Sequence, residues 1–213
     1  MPRFPDYFIR QRVNIPESGN HTPDLLDEMY YNLKWMLTMQ DPADGGVYHK
    51  LTTPSFEGFI NLRSVGSPLC GSEISNGGIG LCCGFGAGFC LVYSLRRGLS
   101  GLFDSGFTGC RTCLRLAEAH PQALYHQDLL NKQYQPAVVT GAYGDRSADD
   151  EFFWAASELY LATGKPVYRE QVKKHLPTAY KTSFLGQYHC VGRVCLAATG
   201  REYQGEDVEL ANA

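Results

Sequence analysis

Residues 147–166 read Ser-Ala-Asp-Asp-Glu-Phe-Phe-Trp-Ala-Ala-Ser-Glu-Leu-Tyr-Leu-Ala-Thr-Gly-Lys-Pro, and they contain the clearest helical pattern of the chain. Ser147 is a good helix N-cap, and Asp149 and Asp150 suit a first turn because acidic groups are favoured at the positive end of the helix dipole. Apolar side chains recur at helical spacing and widen into most of the surface: Phe152, Phe153, Trp154, Ala155, Ala156, Leu159 and Tyr160. Gly164 stands where a left-handed C-cap residue belongs. The pattern predicts a helix that is buried on most sides, with Trp154 in the core.

A second helix is predicted near the start of the chain. Thr22 can act as its N-cap, and Pro23 suits the first helical position. Apolar residues on one face then follow at helical spacing: Leu25, Met29, Leu33 and Met36. The helix should end near Met39, before the turn-rich residues 41–46.

Two shorter segments complete the helical pattern. Residues 113–119 are typical of the last turns of a helix that is stopped by Pro121. A further helix is predicted from Tyr168 to about Tyr180. Long apolar helices therefore alternate with polar loops that carry aromatic residues and a histidine.

Composition excludes some functions. The 213 residues include 19 basic and 22 acidic side chains, so there is no excess of positive charge for binding nucleic acid. Among eight cysteines, Cys110 and Cys113 have ligand-like spacing, but no second pair at a suitable distance completes a tetrahedral zinc site. No metal site is predicted. The first residues also lack the apolar segment of a secretory signal.

Three motifs carry a resemblance to a known family. They are Asn-Ile-Pro-Glu-Ser-Gly-Asn at 14–20 with Pro-Asp-Leu-Leu-Asp-Glu at 23–28, Gly-Gly-Val-Tyr-His-Lys-Leu-Thr-Thr at 45–53, and Thr-Gly-Ala-Tyr-Gly-Asp at 140–145 with the helix at 150–160. In this order they resemble glycoside hydrolase family 9, the cellulase-type endoglucanases. The resemblance implies an all-α fold, an incomplete (α/α)6 toroid of the six-hairpin glycosidase type with a sugar cleft along its connecting loops. It also implies a β-glucan polysaccharide or oligosaccharide as partner, with no nucleic acid and no membrane.

The family pattern fails in residues 61–112, where cysteine and glycine cluster and an alanine-rich helix is expected. Back-translating residues 68–93 and reading one nucleotide later can give RYVVVKSQTAALDFAAVLAQASALY, which resembles that helix. The same shift at residues 183–196 can give LSWANITALGVYAL, which is again similar to the family. We therefore interpret residues 1–213 as a partial catalytic domain in which 61–112 and about 182–213 are out of frame.

The chemistry of the family needs two carboxyl groups on opposite sides of the scissile bond, one acting as acid and one as base. By resemblance the base belongs to an Asp-Ala-Gly-Asp motif, and the acid is a glutamate near the end of the domain. Neither is found in this sequence. We therefore predict no catalytic residue and no activity for this chain. Acidic residues in the first turns of the two long helices are interpreted as helix-stabilising: Asp24, Asp27, Glu28, Asp149, Asp150 and Glu151.

The predicted substrate-binding residues are His49, Lys50, Tyr143 and Asp145. By resemblance His49 hydrogen-bonds a sugar hydroxyl beside the point of cleavage; alternatively it is a structural histidine that fixes the loop after Gly46. Tyr143 and Asp145 lie on a loop that could border the cleft. Lys50 can also be structural.

Two alternative functions remain open at this stage. The chain could be a non-catalytic glucan-binding or interaction module in which the central Cys/Gly segment is real, or a membrane-anchored protein that uses Ile79–Leu95. No cofactor is predicted; calcium is possible by family resemblance, without an assigned site. The resemblance also implies that the parent protein is secreted or periplasmic.

Overall fold

The computed structural model describes residues 10, 13–56, 58, 69–70, 100–122, 124–142 and 147–176. Its elements in this part of the chain are α1 (Asp24–Leu37), β1 (Leu51–Thr52), β2 (Leu69–Cys70), α2 (Ser100–Ala119), α3 (Gln127–Asn131), α4 (Asp149–Thr163) and α5 (Pro166–Lys174). The two strands are antiparallel, with Leu51 opposite Cys70. The described elements are thus mostly helical.

Helix α4 is the centre of the core, as the sequence predicts. Phe153 and Ala155 are fully buried, and most of the helix surface is covered. One side packs on α2 through a cluster of buried residues: Cys110, Leu114, Ala117, Phe152, Ala155 and Leu159. Trp154 is half-buried against this cluster and donates a hydrogen bond to Glu158 Oε1 at 3.2 Å. Trp154 therefore packs against the core from its edge and is not fully buried.

Helix α4 ends where its capping residues predict, except that the N-cap position is shifted by one residue. Gly164 is the C-cap in the left-handed region, with φ 65°, as predicted. At the other end Ala148 occupies the N-cap position, so the prediction for Ser147 was wrong by one residue. Ser147 Oγ still accepts the backbone N–H of Asp149 at 3.2 Å, so it satisfies one of the open donors of the first turn.

Helix α5 packs against the other side of α4, where Val172 joins Phe153 and Ala156 in a second buried cluster. It begins at Pro166, before the predicted start at Tyr168, because proline is well accepted in the first turn. Its last residue is Lys174. Residues 177–180 of the predicted helix lie outside the described residues.

Helix α1 begins at Asp24, with Pro23 in the N-cap position. The predicted N-cap Thr22 was wrong: its backbone N–H donates to Asn20 Oδ1 at 2.8 Å in the preceding turn. Leu33 is buried as predicted, but the other deeply buried apolar residue of this helix is Leu26. The predicted members Leu25, Met29 and Met36 are half-buried, so the buried face is rotated towards Leu26.

Helix α2 ends at Ala119, before Pro121, as predicted. It begins at Ser100, inside the stretch 61–112 that the sequence analysis interprets as out of frame. Most of that stretch, and all of 182–213, lie outside the described residues, so the interpretation stays a prediction. The segment Ile79–Leu95 lies there too. Among the residues described, no helix is both long enough and apolar enough to cross a membrane.

Candidate functional site

A tight turn delivers His49 and Lys50 to their positions. Gln40 and Val47 form an antiparallel bridge after α1, and Gly45 closes the turn with φ 84°. Gln40 Nε2 donates to the carbonyl of Gly45 at 2.8 Å and to the carbonyl of Gly109 in α2 at 2.9 Å. The turn is thereby fixed to the helical core, and the residues that follow it leave in a defined direction.

Lys50 connects three segments of the chain. Its Nζ donates to Gln127 Oε1 at 2.7 Å, to Gly141 O at 2.9 Å and to Thr140 Oγ1 at 3.2 Å. An ammonium group has three N–H donors, and these three acceptors match them. Burial lowers the pKa of Lys50. This geometry favours the structural role of Lys50; its contact with substrate stays a prediction.

His49 contacts both neighbouring segments. Its ring is stacked on the ring of Tyr125, with centroids 3.9 Å apart and planes inclined by 16°. Its Nε2 lies 3.1 Å from the carbonyl oxygen of Ala142. Because a carbonyl can only accept, Nε2 carries a proton in this contact.

Five side chains form what we call the Lys50 network: Lys50, Thr52, Tyr125, Gln127 and Thr140. Gln127 Nε2 donates to the carbonyl of Thr140 at 2.9 Å, and the hydroxyls of Thr52 and Thr140 are 2.9 Å apart. The Tyr125 hydroxyl donates to Gln127 Oε1 at 3.1 Å, and burial raises the pKa of Tyr125. The network therefore links residues 50–52, 125–127 and 140–141.

The structure brings two of the predicted binding residues together and leaves two undescribed. His49 and Lys50 both contact the beginning of the Thr140–Asp145 motif. Tyr143 and Asp145, further along the same motif, lie outside the described residues. Their predicted roles stay predictions.

Sequence reasoning missed Tyr125, Gln127 and Thr52. The sequence offers one local signal for Tyr125, which is an aromatic residue within the polar loop after Pro121. In the structure Tyr125 is buried, with only 5% of its surface exposed. Thr52 lies within the 45–53 motif but was not singled out, and Gln127 carries no signal of its own, because the partners of both are far away in the sequence.

The first motif, residues 14–28, is held together by hydrogen bonds among its own residues and with Val13. Asp24 is 3% exposed and accepts hydrogen bonds from Val13 N at 2.7 Å and Ser18 Oγ at 2.8 Å. Asp27 accepts from Asn20 Nδ2 at 3.1 Å. These contacts attach the preceding loop to the start of α1, and the predicted stabilisation of the helix by the two carboxylates stays a prediction.

The acidic residues at the start of α4 differ in their surroundings. Asp149 is exposed, bonds to Ser147 and lies 3.7 Å from His175 Nδ1. Asp150 and Glu151 are each 5% exposed. All three lie in the first turn of the helix, where a carboxylate stabilises the open N–H groups.

The cysteine pair on α2 belongs to the core. Cys110 is 1% exposed, and burial, with a smaller contribution from the charge of Glu158, raises its pKa to about 12. Cys113 is also buried and is disulfide-bonded. Within the described ranges, no group of three His, Cys, Asp or Glu side chains could hold a metal ion. Calcium therefore stays a prediction without a site.

Comparison with known proteins identifies the family. The model of glycosyl hydrolase family 9 matches residues 4–201. The chain is 46% identical over 216 residues to the xyloglucan-specific endo-β-1,4-glucanase BoGH9A of Bacteroides ovatus, an alignment that covers 99% of this chain and 36% of that protein. Endoglucanase C of Cellulomonas fimi is 30% identical over 210 residues, covering 92% of this chain and 18% of its own length. The chain belongs to glycosyl hydrolase family 9.

Solved structures of family 9 proteins support the same assignment. The Bacteroides ovatus family 9 structure superimposes with a TM-score of 0.90, covering 99% of this chain and 39% of that one. A thermostable endoglucanase variant from Alicyclobacillus acidocaldarius is 26% identical, with a TM-score of 0.73 over 92% of this chain and 36% of its own. The all-α toroid class is thus confirmed, and the chain spans well under half of the relatives it matches.

Proposed function

We propose that the protein to which this chain belongs hydrolyses β-1,4-glucosidic bonds of a glucan backbone with inversion, and that this chain contributes one side of the substrate cleft. The observation that carries the proposal is the meeting of two family motifs, through His49 with Ala142 and Lys50 with Gly141. Loops joined in this way can hold polar groups in fixed positions around a sugar chain.

His49 is the proposed contact with substrate. Its Nε2–H is directed to the Ala142 carbonyl and its ring is stacked on Tyr125, so the imidazole is held in a defined orientation beside the segment that leads to Tyr143 and Asp145. Lys50 acts on the same cleft by holding Gly141, from which the chain continues to Tyr143 and Asp145. We propose that Tyr143 and Asp145 border the cleft.

The substrate class is a β-1,4-linked glucan, unbranched as in cellulose or carrying xylosyl branches as in xyloglucan. The name of the Bacteroides ovatus relative supports the branched form, and the endoglucanase names of the others support the shared backbone. By family resemblance the protein acts outside the cytoplasm. Separating the host culture into medium, periplasm and cytoplasm tests that location.

The isolated chain is proposed to be inactive. Inversion requires an acid and a base on opposite sides of the bond. The Asp-Ala-Gly-Asp sequence expected to supply the base is absent from the 213 residues. Asp149, Asp150 and Glu151 are proposed to stabilise α4 rather than to replace it.

A second candidate is glucan binding without hydrolysis by this chain itself. It is favoured because His49 and the Lys50 network join three segments of this chain through side-chain hydrogen bonds. Under this candidate the chain binds an oligosaccharide stoichiometrically as a folded monomer.

One set of assays separates these functions. Purified chain is incubated with carboxymethylcellulose and with xyloglucan, and new reducing ends are counted; titration calorimetry with cellotetraose measures binding. We expect no hydrolysis above buffer, and clear hydrolysis would refute the inactivity. In a longer protein that contains the chain and hydrolyses glucan, His49→Ala should lower kcat/KM at least tenfold, equivalent to about 1.4 kcal/mol. An unchanged kcat/KM would remove His49 from the cleft.

A further inference from the structure

We infer that Tyr125 and Gln127 are positioning residues for His49, an assignment that rests on the proposed role of His49 in the cleft. Tyr125 is 5% exposed, so its ring is held by its surroundings and offers a rigid face. The imidazole of His49 lies on that face at 3.9 Å and nearly parallel to it. The stack sets the plane of the imidazole.

A second restraint sets the direction of the ring within that plane. The contact from His49 Nε2 to Ala142 O fixes which edge of the ring faces residue 142, and with the Tyr125 stack it leaves the imidazole one orientation. A binding group with a defined plane and a defined direction does not have to be ordered when the sugar arrives, which reduces the entropy lost on binding.

Gln127 holds both restraints in place. Its Oε1 accepts from Lys50 Nζ at 2.7 Å and from the Tyr125 hydroxyl at 3.1 Å, and its Nε2 donates to the Thr140 carbonyl at 2.9 Å. The amide has one consistent orientation, because an ammonium can only donate and a carbonyl can only accept. Gln127 thus couples the ring under His49 to the segment that leads to Ala142.

The spectroscopic test follows the ring protons of His49. An imidazole proton above an aromatic face is shifted upfield, so the folded chain should show His49 signals upfield of those in the urea-unfolded chain. The His49→Gln variant assigns these signals among the six histidines. Tyr125→Phe should keep the shift and Tyr125→Leu should abolish it. Tyr134→Leu is the matched control, since Tyr134 is 58% exposed and lies outside the Lys50 network.

Two spectroscopic outcomes would overturn the inference. One is a His49 signal in the folded chain that matches the unfolded chain, which needs no variant and stands even if Tyr125→Leu does not fold. The other is an upfield shift that persists in a folded Tyr125→Leu chain. In Gln127→Leu we expect the His49 signals to broaden or split, because the stacked ring loses its fixed orientation.

Cellotetraose binding separates this inference from the proposed function. We expect about tenfold weaker binding for Tyr125→Leu and Gln127→Leu, binding within about threefold of wild type for Tyr125→Phe, and no change for Tyr134→Leu. If cellotetraose does not bind the wild-type chain, glucan binding by this chain fails, while the ring shift still supports or overturns the positioning of His49. If all variants bind equally, the stack is local packing and the inference is wrong.

Discussion

The ammonium nitrogen of Lys50 lies 2.9 Å from the carbonyl oxygen of Gly141, a residue 91 positions further along the chain. Gln127 and Thr140 provide the other two acceptors. The Lys50 side chain therefore joins the loop that follows α1 to α3 and to the loop that follows α3.

Replacing Lys50 should cost stability. Lys50→Met keeps the aliphatic stem but leaves the acceptors on Gln127, Thr140 and Gly141 without their donor. Since hydrogen bonds to charged groups contribute about 1.5–3 kcal/mol, we expect the free energy of unfolding to fall by about 2 kcal/mol. Urea unfolding followed by circular dichroism measures it. Lys34→Met, at an exposed position of α1, is the control and should change stability by less than about 0.5 kcal/mol. Equal effects of the two changes would contradict the role of Lys50.

Asp24 should matter more than Asp27, although both lie at the start of α1. Asp24→Ala removes a buried acceptor from Val13 N and Ser18 Oγ, and we expect a loss of about 2–3 kcal/mol. Asp27→Ala removes an exposed bond to Asn20 and should cost about 0.5 kcal/mol. Thermal unfolding of the two variants, side by side, tests the difference. Similar melting temperatures would show that the buried bonds do not stabilise the motif.

Two glycines should respond differently to alanine. Gly164 has φ 65° and open space around its missing side chain, so Gly164→Ala should cost only the backbone strain, about 1 kcal/mol. At Gly45 a Cβ atom would collide with the Thr112 side chain, in addition to the strain of φ 84°. We expect Gly45→Ala to lose at least 2 kcal/mol more than Gly164→Ala. Chemical denaturation gives both values, and the reverse order would refute the close contact between the turn and α2.

Cys110 should make stability depend on alkaline pH. Burial raises its pKa from 9.0 to about 12, so between these values the unfolded chain loses the thiol proton while the folded chain keeps it. The stabilising effect is complete below pH 9 and falls as the pH rises. We expect wild type to lose about 1 kcal/mol more than Cys110→Ala between pH 9 and pH 10. Urea unfolding at both values measures this, and parallel pH profiles would contradict the burial of the thiol.

The out-of-frame interpretation predicts a result at the level of DNA. Resequencing should reveal single-nucleotide slips near codons 60, 112 and 181. The buried residues Cys110, Leu114 and Ala117 keep helical spacing across residue 112, so the slip there should fall within a continuous helix. An intact frame would make the central segment genuine protein and favour the binding module.

Features fixed by local chemistry could be read from the sequence. The helix ends at Ala119 and Thr163 follow from Pro121 and Gly164, which act on their immediate neighbours. The burial of α4 follows from its apolar surface. The N-cap positions were missed by one residue, because Pro23 and Ala148 occupy them without a side-chain cap, which the capping preferences do not predict.

Features that depend on distant segments could not be read in this way. Nothing in residues 25–26 says which leucine faces the core, because the answer depends on how α1 packs against α2, far away in the sequence. In the same way, the pairing of Tyr125 with His49 is set by how the loops meet. The family resemblance predicted His49 and Lys50, and the structure shows Tyr125 and Gln127 in contact with them.

The separation of these contacts along the chain has a consequence for synthesis. Asp24 meets Ser18 across 6 positions and Val13 across 11, so this motif can close soon after it leaves the ribosome. Lys50 meets Gln127 across 77 positions and His49 meets Ala142 across 93. The contacts of Lys50 and His49 therefore form only after most of the described chain has been translated, since distant contacts require the intervening segment to be present. A ribosome that stopped between codons 50 and 125 would release a product able to form the contacts of Asp24 with Val13 and Ser18, but not those of His49 with Tyr125 and Ala142.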